Sequence, residues 1–283
     1  MRKIIFCILF LLCFNVGCHH PENDWFVIQQ IDNNTFKINE PYSSQNNSSF
    51  LIVGEKDAIL FDAGSGENKQ ASIKQILDSL TKQPITMLLS HFHFDHIGNI
   101  HEFRLIGLPE IDFLKERITA DSILNLSGEE ILVNKPISFK ISKFLSVEKE
   151  TELGNRSIAI YHTPGHADES ITLIDHKNKL IFTGDLVYNG LLLIDDPKKY
   201  VESIDLIMKN SDPDYRIFGS HGKPEVDYNY LEKIKASIEC YLAGDNNTRS
   251  LKQIDFFGTQ KKVYTINGVS FIIGYSEVFL NDK

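Results

Sequence analysis

Six consecutive residues read His-Phe-His-Phe-Asp-His, which places four side chains able to bind a metal ion in one short segment. Neutral imidazole and carboxylate groups are ligands of a borderline cation such as zinc, and a catalytic zinc needs about three protein ligands plus an open position for water. The segment follows an apolar run, residues 85–90, that is typical of a buried strand. In an extended segment His91 and His93 would share one face, and a turn would then direct Asp95 and His96 toward neighbouring space. One loop could therefore supply ligands to two cations.

A single loop cannot complete two catalytic sites, so further ligands must come from later in the chain. Candidates follow three apolar or β-branched runs, 157–161, 179–182 and 215–218, each of which is predicted to be a strand. Loops that follow the strands of a rigid framework are well placed to hold such side chains. The candidates are His166 in Thr-Pro-Gly-His, Asp185 in Thr-Gly-Asp and His221 in Ser-His-Gly.

The elements upstream of the histidine-rich segment are predicted to be short strands and one helix. The helix runs from about Asn68 to Leu80, because its apolar residues recur at helical spacing and would cover a sheet. Downstream, residues 102–154 mix helical and extended patterns, and we expect them to form a wall of the substrate site. The predicted strands cover residues 26–31, 35–38, 50–53 and 58–61.

This series of motifs resembles the metallo-β-lactamase-fold hydrolases, which are marked by His-x-His-x-Asp-His, then a distant His, a bridging Asp and a last His. Upstream, Ala58 to Gly64 resembles the first motif of that family, whose aspartate, here Asp62, supports the metal loop. The resemblance extends from about Trp25 to Gly222 with the motifs in order. It implies an α/β fold, a four-layer αββα sandwich.

Carried over residue by residue, the resemblance implies a binuclear zinc site, with iron or manganese as alternative metals. A hydroxide that bridges the two ions would attack a substrate carbonyl, because zinc lowers the pKa of bound water from about 15.7 to about 7. Asp95 would pass a proton toward the leaving group, and Tyr188 would donate to the carbonyl, as in the lactonase branch. The implied ligands are His91, His93 and His166 for one ion, Asp95, His96 and His221 for the second, and Asp185 as the bridge.

The substrate implied by the resemblance is a small ester, lactone, thioester or amide. Asp185 is similar to the bridging residue of the glyoxalase II, thioesterase and lactonase branches, and the true β-lactamases lack it. A zinc-dependent β-lactamase is the alternative activity. An alternative of another class is a metal-binding or scaffold lipoprotein without turnover, although an intact ligand set favours catalysis.

The last third of the chain carries clear signals for two helices and a hairpin. Asp196-Pro197 is typical of an N-cap followed by proline at the first helical position, and predicts a helix to about Asn210. Apolar residues around Cys240 also have helical spacing, which predicts a second helix with this thiol in the core. Asn267-Gly268, between the runs 261–266 and 269–275, predicts a hairpin that closes the edge of the sandwich.

The N-terminus is predicted to be an export signal. Residues 1–17 combine a basic start with an apolar run that is short for a transmembrane helix of about 20 residues. The segment ending at Cys18 resembles a bacterial lipobox, which implies cleavage before Cys18 and its lipidation. Residues 18–24 would be a tether and residues 25–283 the hydrolase domain. We expect a lipoprotein of the periplasm or outer membrane, with ordinary secretion and an uncleaved anchor as alternatives.

The charge of the chain bears on its partners. The formal net charge is −9, and Lys and Arg form no basic stripe, which argues against a nucleic acid partner. A small-molecule substrate is predicted instead, together with a membrane contact through the N-terminal lipid. The sequence predicts no oligomeric state.

Overall fold

The computed structural model describes residues 25–133, 135–223, 225–244 and 252–276. The predicted signal peptide, Cys18 and the tether lie outside the described residues. Within those ranges, no helix has the length and apolar character needed to cross a membrane.

Seven strands form the first sheet, and labels follow the order of the chain. The candidate metal loop follows one of four neighbouring parallel strands of this sheet, whereas the strands earlier in the chain pair antiparallel. In spatial order the strands are β1 (Val27–Asp32), β2 (Thr35–Asn39), β3 (Ser48–Val53), β4 (Ala58–Phe61), β5 (Ile85–Leu88), β6 (Ile106–Pro109) and β9 (Lys143–Leu145).

Six strands form the second sheet. The two strands that precede the candidate ligands Asp185 and His221 are parallel neighbours, so the carboxyl ends of both strands lie at the same edge of the sheet. In spatial order they are β10 (Glu150–Glu152), β11 (Ser157–His162), β12 (Ile171–Asp175), β13 (Leu180–Phe182), β15 (Arg216–Phe218) and β16 (Glu225–Val226).

Two smaller sheets and five α-helices complete the described ranges. The small sheets are β7 (Ile123–Leu126) with β8 (Ile137–Lys140), and β14 (Leu191–Ile194), β19 (Val269–Ile273), β18 (Thr259–Ile266) and β17 (Lys252–Phe256) in that spatial order. The helices are α1 (Ile73–Leu80), α2 (Phe94–Ile97), α3 (Asp112–Lys115), α4 (Pro197–Lys209) and α5 (Asn229–Leu242), with a 3-10 turn at Ile100–Glu102.

The burial pattern shows four layers. The ring of Phe50 on β3 lies 5.0 Å from that of Phe182 on β13, so the two large sheets pack face to face. Along β11, Ile158 joins this inter-sheet core, whereas its neighbour Ala159 joins a second core under α4 and α5. Because alternate residues of a strand point to opposite faces, the second sheet is buried on both sides. With α1 packed on the first sheet, the order of layers is α, β, β, α, as predicted.

A buried ion pair joins the two large sheets. Arg156, just before β11, donates to the carboxylate of Asp175 on β12 with an Nε–Oδ2 distance of 2.7 Å. Its guanidinium also donates to the hydroxyl of Thr35 on β2, and to the carbonyl oxygens of Asn34 and Val53. Asp175 is fully buried, so each charge is compensated inside the protein.

Several sequence predictions are confirmed, and two need correction. Helix α4 begins at Pro197 with Asp196 as its N-cap, and α5 contains Cys240, which is partly buried against the second core. Helix α1, however, begins at Ile73 rather than near residue 68, because the hydroxyl of Ser72 caps it. The 267–268 hairpin forms as predicted, but it belongs to a separate sheet with β14 and β17 and extends neither large sheet.

Candidate metal centre

The seven predicted ligands come together at one end of the two large sheets. His91 and His93 follow β5, and the next two candidates lie on the first turn of α2, so the predicted helix start redirects them. From the second sheet, His166 follows β11, Asp185 follows β13 and His221 follows β15. The first sheet therefore carries four of the seven ligands and the second sheet carries three, so the centre forms only when the sheets are packed.

Three imidazoles converge on one point. Nδ1 of His93 lies 2.8 Å from Nε2 of His91 and 3.1 Å from Nε2 of His166, and the two Nε2 atoms are 3.2 Å apart. A tetrahedral zinc with Zn–N bonds of about 2.0–2.1 Å would place its ligand nitrogens roughly 3.3 Å from one another. All three rings are buried. The spacing fits three nitrogens that share one cation.

A second group of nitrogen and oxygen atoms lies beside the first. Nε2 of His96 is 3.4 Å from Oδ2 of Asp95 and 3.4 Å from Oδ1 of Asp185. Nε2 of His221 is 3.4 Å from the Asp95 carboxylate and 3.0 Å from Oδ2 of Asp185. Asp185 also approaches His166 of the first group, with its Oδ2 at 3.7 Å from Nε2. Asp185 is thus the residue placed between the two groups.

Each of the five imidazoles has its outward nitrogen held by a hydrogen bond. Such contacts fix the tautomer and leave the lone pair of the other nitrogen directed to the centre. The partners are the hydroxyl of Ser90 for His91, the hydroxyl of Tyr275 for His93, the carboxylate of Asp62 for His96, the carbonyl of Leu193 for His166 and the carbonyl of Gln45 for His221.

Two atoms at the centre lack the partner that their burial requires. Nε2 of His96 and Oδ1 of Asp185 are buried polar atoms without a hydrogen bond. Leaving such groups unsatisfied costs about 1–3 kcal/mol each. A cation bound between them would satisfy both, so the donor set fits a metal centre with nitrogen and oxygen ligands.

The electrostatics divide the centre into two parts. Burial and the neighbouring imidazoles lower the pKa of His91 well below its usual value, and burial also lowers the pKa of His93 and of His166. These three rings are neutral, which is the form that binds a metal. Burial opposes charge on His96 as well, but the nearby carboxylates of Asp95 and Asp185 outweigh it and raise the pKa of His96 well above its usual value. The second part of the centre therefore attracts positive charge.

Backbone conformation at two positions sets the centre. Asp62 has a φ of +68° after β4, and its carboxylate accepts from the backbone amide and the hydroxyl of Ser90 as well as from His96. Gly184 has a φ of +55°, and a Cβ there would lie 2.5 Å from the Cβ of Ser90. Only glycine fits this close approach without strain, which delivers Asp185 directly after the strand.

Sequence reasoning missed two residues of the centre. Asn47 donates to the backbone carbonyl of Asp95 at 2.7 Å and to its carboxylate at 3.0 Å. Tyr275, which follows β19, stacks on His166 with ring centroids 5.3 Å apart and donates to the backbone carbonyl of His166. Neither belongs to a short motif. The only signal for Tyr275 was its place at the end of the predicted hairpin.

Comparison with known proteins identifies the family. Residues 44–221 match the model of the Metallo-beta-lactamase superfamily, and this range includes all seven predicted ligands. The chain belongs to the metallo-β-lactamase superfamily. It is therefore a member of a superfamily of metal-dependent hydrolases, as predicted.

Relatives of this metallo-β-lactamase superfamily member include two named hydrolases. The acyl-coenzyme A thioesterase MBLAC2 of Homo sapiens is 22% identical over 267 residues, which cover 82% of this chain and 95% of the relative. Hydroxyacylglutathione hydrolase GloC of Haemophilus influenzae is 29% identical over 149 residues, which cover 52% of this chain and 68% of the relative. A solved metallo-beta-lactamase from Pontibacter korlensis superposes with a TM-score of 0.59 at 14% identity, covering 76% of this chain and 99% of that one, and shows the common fold.

Two cavities of the metallo-β-lactamase-fold chain meet at the centre, and His93 and Leu132 line both. The smaller has a volume of about 260 Å³ and lies over the second group of ligands, beside Tyr188 and apolar side chains that include Leu193 on β14 and Phe256 on β17. The larger has a volume of about 570 Å³, and six acidic but only two basic side chains line it. The segment 102–154, which we expected to form a substrate wall, contributes residues to both.

Tyr188 lines the smaller cavity, with its ring 5.4 Å from that of His221. Its hydroxyl donates to the backbone carbonyl of Leu191 at 2.5 Å. Burial raises the pKa of Tyr188 well above its usual value, so the phenol keeps its proton. Because this single proton is donated to Leu191, it can reach a substrate carbonyl only in exchange for that hydrogen bond.

Proposed function

We propose that the chain is a binuclear zinc-dependent hydrolase of small acyl thioesters or esters. Five imidazoles and two carboxylates converge beneath an apolar cavity, and two of their buried atoms lack a hydrogen bond. This convergence is the observation that carries the proposal. His91, His93 and His166 would hold one ion, and Asp95, His96 and His221 would hold the other. Asp185 would contact both. When bound, the ions would supply Lewis acidity and a water of lowered pKa.

In this proposal the protein residues move one proton and orient the substrate. The pKa of Asp95 is lowered, although burial opposes this, because His96 lies beside it, so Asp95 is an ionised carboxylate that could relay a proton without retaining it. Asn47 fixes its Oδ2 with a hydrogen bond of 3.0 Å. The carboxylate of Asp95 would accept one proton of the attacking water and pass it to the leaving sulfur or oxygen as the bond to the acyl carbon breaks. The products would be a carboxylate and a thiol or alcohol, with the second proton of the water released to solvent.

Support for a thioester comes from the named relatives. Coenzyme A and glutathione are both thiols, so the thioesterase and the hydroxyacylglutathione hydrolase share the release of an acyl group from sulfur. The larger cavity of this chain has an excess of acidic side chains, and a polyanionic carrier such as coenzyme A would be repelled there. We therefore propose a leaving group that carries little negative charge.

The test is metal analysis of the full-length protein combined with hydrolysis of a panel. The panel holds octanoyl-N-acetylcysteamine, octanoyl-coenzyme A, an aryl octanoate, an acyl-homoserine lactone and a chromogenic cephalosporin. We expect about two metal ions per chain and chelator-sensitive turnover of the uncharged thioester or the ester. Turnover of the cephalosporin alone would make the chain a β-lactamase, and full metal content without any turnover would support the non-catalytic alternative.

One pair of variants connects metal content to activity. Asp185→Asn should lower occupancy of the second metal position and reduce turnover by orders of magnitude, because Asp185 lies between the two groups of ligands. Asp214→Asn is the matched control, since Asp214 is exposed and pairs with Lys179 away from the centre. Full metal content and wild-type turnover in Asp185→Asn would contradict a binuclear mechanism.

A further inference from the structure

The tip of the β17–β18 hairpin presents an aromatic side chain to the smaller cavity. Phe256 pairs with Thr259, so Phe257 and Gly258 form a two-residue turn. Both phenylalanines line the cavity, together with the candidate ligands Asp95 and His221. Phe257 is nevertheless 55% exposed. A large apolar side chain is thus held at the mouth of the cavity next to the metal centre.

The backbone at this tip is unfavourable for phenylalanine. Phe257 has a φ of +49°, in the left-handed region, where a non-glycine residue costs on the order of 1–3 kcal/mol. The cost is highest for bulky side chains and lowest for glycine, asparagine and aspartate. The backbone conformation of the turn therefore does not favour phenylalanine at this position.

The same small sheet contains the equivalent turn with favourable residues. Ile266 pairs with Val269, so Asn267 and Gly268 form a two-residue turn with φ values of +51° and +80°. The corresponding values at Phe257 and Gly258 are +49° and +80°. Asn-Gly is the preferred sequence for this geometry. The two turns therefore have nearly the same backbone φ values and differ in the side chain at the first turn position.

A chain of ring contacts joins the tip to the metal centre. The ring of Phe257 lies edge-on to that of Phe256 at 4.9 Å, and Phe256 lies edge-on to Tyr275 at 6.3 Å. Tyr275 stacks on His166 of the first ligand group. The ring contacts thus connect the tip of the hairpin to the candidate ligand His166, with Phe256 and Phe257 lining the smaller cavity and Tyr275 lining the larger one.

We infer that Phe257 determines acyl-chain specificity by covering the distal methylene groups of a linear acyl substrate. This inference rests on the proposed function, since it assigns the apolar cavity to the acyl part of the same thioester or ester. Acyl chains that are too short to reach the tip gain no binding free energy from Phe257. An octanoyl chain, in contrast, buries apolar surface against its ring. The strain of the turn is offset when the ring is covered by the chain.

The variant that tests the inference is Phe257→Asn, which copies the Asn267-Gly268 turn. It should leave the thermal midpoint unchanged or raise it, because asparagine relieves the left-handed strain. It should also weaken binding of octanoate, the reaction product, about tenfold, the change that corresponds to a loss of roughly 1.4 kcal/mol of apolar contact. Phe257→Leu, which keeps apolar bulk, should restore most of the affinity.

Two further measurements separate this inference from the proposed function. Octanoate binding by calorimetry needs no turnover, and the KM ratio of octanoyl to acetyl thioester reports chain length when turnover is present. Phe144→Asn is the control, because Phe144 is an exposed phenylalanine on β9 that does not line the cavity.

The outcomes are distinct. If wild type and Phe257→Asn both turn over substrate, with the same octanoate affinity and the same KM ratio, the inference is overturned and the proposed function stands. Tighter octanoate binding by the wild type than by Phe257→Asn, without turnover of any panel substrate, supports the contact of Phe257 with the acyl chain and contradicts the proposed function. No measurable octanoate binding to the wild type overturns the inference.

Discussion

Oδ2 of Asp62 lies 2.9 Å from Nδ1 of His96, and both side chains are 1% exposed. The same oxygen accepts from the hydroxyls of Ser90 and Ser220, so one buried carboxylate joins the loop after β5 to the loop after β15. Ser90 in turn holds His91. Asp62 therefore orients ligands of both groups without pointing at the centre itself.

The first prediction follows from this relationship. Asp62→Asn should lower zinc affinity about 10- to 100-fold, because the amide gives one acceptor oxygen and no charge to orient His96. Competition with a chromophoric chelator would measure the affinity. Asp205→Asn, an exposed aspartate on α4 that pairs with Lys235, is the control. Equal zinc affinity in Asp62→Asn and wild type would show that the carboxylate does not position the ligand.

The second prediction concerns Tyr188. If its hydroxyl donates to the substrate carbonyl, Tyr188→Phe should keep the wild-type metal content and lower kcat about 10²-fold, the range for one lost donor. Tyr42→Phe, at an exposed position, serves as the control. A wild-type kcat in Tyr188→Phe would limit the role of the hydroxyl to its hydrogen bond with Leu191.

The third prediction is a pH dependence of stability. Lys37 on β2 is buried opposite Phe50, and burial lowers the pKa of Lys37 to about 8. Between this value and the usual 10.5, the unfolded chain binds a proton that the folded chain does not, so the free energy of unfolding should rise with pH through this interval. Lys37→Met should be more stable than wild type at pH 7, and the difference should shrink from pH 8 upward.

Thermal denaturation across this pH range, at fixed ionic strength, measures the effect of Lys37. Lys143→Met removes the same charge from an exposed position on β9 and should show no such convergence with wild type. A stability difference between Lys37→Met and wild type that is constant with pH would contradict a lowered pKa at Lys37.

The fourth prediction concerns localisation, on which we propose export as a lipoprotein. Cys18→Ser should move the full-length protein from the membrane fraction to the soluble fraction, because the lipid would no longer be attached. Cys13→Ser, within the predicted signal, should leave fractionation unchanged. Membrane retention of Cys18→Ser would favour an uncleaved anchor, and a soluble wild type would favour ordinary secretion.

The centre was accessible to sequence reasoning because its residues occur as short motifs after predictable strands. His91 to His96, Asp185 and His221 are each fixed by a local turn, so their spacing in sequence carries information about their positions in space. Asn47 and Tyr275 reach the centre only through the packing of distant elements, and no local pattern marks them.

Boundaries and partners of some elements were also beyond local patterns. The start of α1 was misplaced because Asn68 binds the amide of Gln70 in a turn, and the hydroxyl of Ser72 then caps the helix. Both residues would also be compatible with a helix that begins earlier. The hairpin was predicted, but its pairing with β14 depends on a parallel contact between segments far apart in the chain.

The buried Arg156–Asp175 pair has a consequence for how the two sheets are held together. The pair lies at the start of β11, whereas His166 follows the end of the same strand. The ion pair with the hydrogen bonds of Arg156 and the ligand cluster therefore join the two sheets at opposite ends. Hydrogen bonds from Ser220 to Asp62 and from the backbone amide of Ile171 to the carbonyl of Ser90 also connect the two sheets at the ligand-bearing end. Protein contacts alone therefore hold the ligand loops of both sheets in register, so the centre is preorganised to bind metal.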